Sequence, residues 1–95
     1  MMVRVLIERH IRPGVEQELL AALREMRGGA VHAAGYVSGE TLRDVDDPGH
    51  YVIISTWRSR GDWDRWAVSE ARQHARRRIA PLLASPERVS VLEPA

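Results

Sequence analysis

All three tryptophans of the chain fall in one short stretch, STWRSRGDWDRW, at Trp57, Trp63 and Trp66, and there is no phenylalanine. Trp63 and Trp66 are three apart, which on a helix makes them neighbours on one side. Their ordinary use is core volume, the expectation for Trp57 and Trp63. Their other use is as flat walls for a planar ligand. His74 follows on the same helical run. A partly buried, satisfied histidine is the usual case, but one lining a cavity is suited to proton transfer near neutral pH. Arg72, Arg76, Arg77 and Arg78 cluster towards the end of that run. The helix dipole and a solvated face account for most of this cluster, while Arg76 or Arg78 has the charge to attract an anionic substrate. His10, His32 and His50 have no carboxylate or second histidine at ligand spacing, so no metal site is read. Ser38, Ser55 and Thr56 lack any nucleophile-elbow surroundings. With no cysteine, thiolate ligands and cysteine nucleophiles are excluded.

Positioning these residues requires an alternation of strands and helices. Residues 2–10 are rich in Val, Leu and Ile and read as a strand closed by Pro13-Gly14. Val15, Leu19, Ala22, Leu23 and Met26 recur at helical spacing, with Gly28-Gly29 as the stop and Ala30 to Ala34 as a short helical extension. Tyr36 to about Val45 and Tyr51 to Arg58 read as strands joined by Asp46-Asp47-Pro48-Gly49, a type II turn. Ser59 is placed to cap the helix of Trp63 and Trp66. Ser69 is placed to cap a second segment with Ala71, His74, Ala75, Ile79 and Leu82 on one face. Val89 and Val91 alternate in a last strand. The order β-α-β-β-α-β predicts an α+β ferredoxin-like fold with a four-stranded antiparallel sheet, as a single domain over residues 1–95.

Composition narrows the class. Hydrophobic residues are 44% and charged residues 28%, as expected of a soluble globular chain. Every one of the 14 basic residues is arginine, yet 13 acidic residues leave a net charge of only +1, which gives no nucleic-acid footprint. Arg4 and Glu8 interrupt the N-terminal apolar run, and no stretch reaches membrane-spanning length, so a cytoplasmic protein without a membrane partner is expected.

Both faces of the third strand are apolar: Tyr51, Ile53 and Trp57 alternate with Val52 and Ile54. Two helices connected in this order cover one face of the sheet. A second copy packed sheet to sheet is the simplest cover for the other, which predicts a homodimer.

Three ordered segments, GYVSGETLRD (35–44), YVIISTWRSRGDWDRW (51–66) and SPERVSVLE (85–93), resemble the antibiotic biosynthesis monooxygenase (ABM) domain family. The resemblance extends from about residue 2 to residue 93. It implies a dimeric α/β barrel with a mostly apolar pocket between the sheet and the helices of each subunit. Family members include oxygenases that hydroxylate phenols or quinols without metal or flavin, haem-degrading enzymes, and proteins handling small signalling molecules. The haem-degrading members use a strand asparagine, a helix tryptophan and a histidine about ten residues further on. Here Trp66 matches, but the other positions fall at Ile7 and Arg76. His74 lies two residues short, about 200° away around a helix, so haem is disfavoured. The resemblance therefore implies a cofactor-independent monooxygenase for a small aromatic ligand. His74 would be its base, Trp66 its stacking wall beside Trp57 and Trp63, and Arg76 its charge stabiliser. The alternative is a non-oxygenase protein that binds or isomerises a small molecule on the same fold, and haem binding is a third reading.

Overall fold

The computed structural model describes all residues 1–95. Strand β1, Val3–His10, alternates as a half-covered strand must: Val3, Val5, Ile7 and Arg9 are buried on one face, with Arg4, Leu6 and Glu8 on the other. Helix α1 is Glu16–Ala30, followed by strands β2, Tyr36–Arg43, and β3, His50–Trp57. Helix α2, Arg60–Ala67, and helix α3, Glu70–Ile79, come next, then a 3₁₀ turn at Ala80–Leu82 and strand β4, Arg88–Leu92. The sheet order is β2-β3-β1-β4 with every neighbouring pair antiparallel. This is the ferredoxin-like α+β arrangement expected, with its second helix broken into two pieces.

Serines make that break. Ser59 Oγ accepts from the Asp62 amide at 3.1 Å and donates to its carboxylate at 2.9 Å, which starts α2. Ser69 Oγ accepts from the Arg72 amide at 3.3 Å and donates to the last-turn carbonyl of Trp66 at 2.7 Å. One hydroxyl thus ends one helix and starts the next.

Two expectations need correction. Gly28-Gly29 does not stop α1, which runs to Ala30 before turns lead to β2. Gly29 is there for packing, since a Cβ on it would meet the Trp66 ring at 3.1 Å. The β2–β3 turn is not type II, because only Gly14 and Gly35 have positive φ. Carboxylates shape it instead: Asp44 accepts from the amides of Asp46 and Asp47, and Asp47 from that of Gly49. Such side-chain turns are an established use of aspartate.

The helices lie on one face of the sheet and bury two apolar groups there. One gathers Trp57, Trp63 and Trp66 with Val3, Val5, Ile7 and Ala30. The other gathers Leu19, Ala22 and Leu23 of α1 with Ile11, Tyr51 and Ile79. Met26 and Ile53 touch both. On the opposite face Leu6, Val52 and Ile54 are half-buried, while Met2, Leu42 and Leu92 are exposed. No helix is long and apolar enough to cross a membrane.

Candidate functional site: an aromatic chamber with buried guanidiniums

Between the helices and the covered face of the sheet lies a small chamber of about 60 Å³. Its aromatic wall is Trp57 from the end of β3, Trp66 from α2 and Tyr36 from the start of β2. Trp57 and Trp66 are stacked at 6.2 Å between centroids and 24° between planes, and Tyr36 meets Trp57 edge-on at 5.3 Å. Leu23, Met26 and Ala30 of α1 face Ile7 and Ile53 of the sheet across it. The mouth runs between α1 and β2, where Arg27 Nη2 donates to the Gly39 carbonyl at 3.0 Å. Gly39 is required by close approach, because a Cβ there would lie 2.6 Å from the Tyr36 hydroxyl.

Trp63 stands behind this wall. It packs edge-on to Trp57 at 5.8 Å, and the Arg72 guanidinium lies over its ring, 5.1 Å from the centroid. Trp57 Nε1 donates to Ser55 Oγ at 3.0 Å, so the most buried indole has its polar atom satisfied.

Two charged side chains line the same chamber from its deep end. Arg9 of β1 is 1% exposed and Arg72 of α3 is 3% exposed. Both turn towards Glu87, in the segment before β4. Arg9 Nε donates to its Oε2 at 2.9 Å, and Arg72 Nη2 lies 3.9 Å from its Oε1. Arg76 adds a third cation, with Nε 2.9 Å from Oε1 but off the hydrogen-bonding direction. One carboxylate is therefore shared by three guanidiniums. Burial lowers the pKa of Arg9, against the raising influence of Glu87. Burial likewise lowers Arg72, to about 10, which leaves it charged at neutral pH.

The expected site residues separate in the fold. Trp57 and Trp66 face the chamber, and Trp63 supports them without lining it. Arg76 is 43% exposed and reaches the chamber only through Glu87. His74 does not reach it at all. It is 59% exposed on the outside of α3, 3.4 Å from Glu25 of α1. Of the expected stripe, Ala75 and Ile79 are buried and Leu82 is half-buried, but Ala71 and His74 are exposed and Arg72 is buried in their stead. An arginine takes the inward position because Trp63 and Glu87 receive it, and its place in a run of basic residues carries no sign of that. Arg9 had a usable signal: it continues the alternation Val3, Val5, Ile7 onto the covered face.

Larger depressions, of about 610 and 600 Å³, are open grooves on the surface. One runs along the end of α3 beside Pro86 and the other crosses the uncovered sheet face.

A ferredoxin-like sheet under helices, with an aromatic chamber held between the layers, defines a class of small α+β domains. The chain belongs to the antibiotic biosynthesis monooxygenase family, whose family model matches residues 2–78. Protein SchA of Streptomyces halstedii is 29% identical over 79 residues, which are 83% of this chain and 21% of SchA. The chain thus spans about a fifth of the length of that relative. Among solved structures, Rv0793 of Mycobacterium tuberculosis superposes with a TM-score of 0.90 at 27% identity, covering 100% of this chain and 96% of that one. SnoaB of Streptomyces nogalater, described as a cofactor-independent oxygenase, superposes with a TM-score of 0.89 at 15% identity, covering 98% and 92%. At that identity the likeness to SnoaB is one of fold.

Proposed function

We propose that the protein is a cofactor-independent monooxygenase acting on a small phenol- or quinol-type aromatic held in the chamber. The observation that supports it is the placement of Trp57, Trp66 and Tyr36 around an apolar cleft with an electropositive deep end, in a chain of this family. Flat walls hold a flat substrate, and the cationic end favours an ionised ring hydroxyl. An electron-rich phenolate can itself reduce dioxygen. One electron passes from ring to oxygen, the two radicals join as a carbon–oxygen bond, and the hydroperoxide loses water to leave a quinone. One atom of dioxygen ends in the product and the other in water. The chain's contribution is to orient the ring and exclude bulk water. The hydroxyl proton is released to solvent and one is taken back by the peroxide before water is lost, and Arg76 acts as a positioning residue by holding Glu87.

The chamber as it stands is well below the roughly 300–1,000 Å³ of typical ligand pockets. Admission of a ring therefore requires α1 and β2 to part, and the Arg27–Gly39 bond is the contact that breaks. The reading includes a homodimer through the uncovered sheet face, supported by the apolar Leu6, Val52 and Ile54 at its centre.

Metal-free protein is expected to consume dioxygen with polycyclic phenols or quinols and to place one labelled oxygen in each quinone formed from labelled dioxygen. No uptake with any of them overturns the proposal.

A further inference from the structure

Arg9 commits only its Nε to Glu87. Its Nη1 and Nη2 are buried and no protein group accepts from either, and the same is true of Arg72 Nε. Buried donors of this kind normally find a partner. Charge makes the case stronger, because Arg9, Arg72 and Arg76 surround a single carboxylate. Water would complete the hydrogen bonds but not the charge. The other carboxylate at the chamber, Glu40, is exposed on β2. Glu87 Oε1 takes up none of these donors: Arg76 Nε lies 2.9 Å from it off the hydrogen-bonding direction, and Arg72 Nη2 is 3.9 Å away.

From this we infer a buried oxyanion site, in which the two free Nη groups of Arg9, assisted by Arg72, receive the carboxylate of an aromatic acid whose ring rests against Trp57 and Trp66. The inference rests on the reading of the chamber as the ligand site and narrows its ligands to phenols or quinols that also carry a carboxylate, which takes the cationic end in place of the ring hydroxyl. Guanidinium fits such a group because its planar fork presents parallel N–H bonds to two oxygens at once. It also accounts for arginine at both positions where an apolar residue would pack at lower desolvation cost.

The test is calorimetric titration with 2-naphthoate and with its neutral analogue 2-naphthalenemethanol. The acid is expected to bind at least about ten-fold tighter, a difference that one charge-assisted bidentate contact supplies. Arg9→Gln is expected to abolish that preference while keeping affinity for the alcohol. Arg72→Gln makes the same comparison if Arg9→Gln does not fold, as judged by its melting curve. Equal affinity of the unaltered protein for acid and alcohol overturns the inference and leaves the chamber reading standing. Binding of neither ligand overturns both.

Discussion

In the sequence His50 is a histidine beside a turn, yet the β2–β3 hairpin and the pairing with β1 give it three partners. Its ring stacks on His10 at 4.4 Å, its Nδ1 lies 3.0 Å from Asp44, and its Nε2 lies 3.4 Å from Glu8. The hydrogen bond to Asp44 raises the pKa of His50, and the same bond lowers that of Asp44. A raised histidine adds stability that is complete below its ordinary value of 6.5 and lost as pH rises through its folded value. The lowered aspartate adds stability that is complete above 3.8 and lost as pH falls through its folded value. The pair therefore contributes most between these limits. Denaturant titrations at mildly acidic and mildly alkaline pH are expected to show a fall towards alkaline pH that His50→Gln flattens; an unchanged slope would remove this coupling. His74 gives the opposite expectation. Exposed and paired only with Glu25, it is replaceable: His74→Ala is expected to change stability by less than about 0.5 kcal/mol. It is also expected to leave oxygen uptake intact, and a large loss of uptake would restore His74 as the base.

Helices and strands were largely legible from the chain, because hydrophobic period and capping residues are local. Ser59 and Ser69 announced α2 and α3, and alternation announced β1 and β3. What was not legible depends on contacts made after folding. Gly28 and Gly29 read as a stop, but a helix tolerates glycine when something large must pass close by, here the Trp66 ring. The two glycines are separable by experiment. Gly28 has open space around its Cβ position, so Gly28→Ala is expected to gain about 1 kcal/mol from helix propensity alone. Gly29→Ala is expected to fall short of that gain, since its methyl presses on the indole. Thermal unfolding of the pair measures the difference. The inward turn of Arg72 was hidden for a related reason: its partners, Trp63 and Glu87, come from α2 and from the far end of the chain. Of the candidate site, Trp66 was legible as a wall, Trp57 was expected in the core and lines the chamber as well, Trp63 stands behind it, and Tyr36 and the charged floor were missed.

At the scale of the whole molecule, one sheet carries two different faces. The covered face holds the chamber, and the other presents Leu6, Val52 and Ile54 among Arg4, Glu8 and Arg88. Sedimentation is expected to give twice the chain mass of 10.8 kDa, and Ile54→Arg, which sets a cation at the centre of that face, is expected to give the single chain. A monomer for the unaltered protein would sink the sheet-to-sheet dimer. Glu87 lies beyond the residues the family model matches and just ahead of β4, an edge strand. When that margin frays, two cations are stranded in an oily interior, so the last strand works as an electrical plug as well as a structural seam. Glu87→Gln is accordingly expected to speed amide exchange along β4 more than along β1 or β3, and equal protection would mean that backbone pairing alone keeps the seam shut.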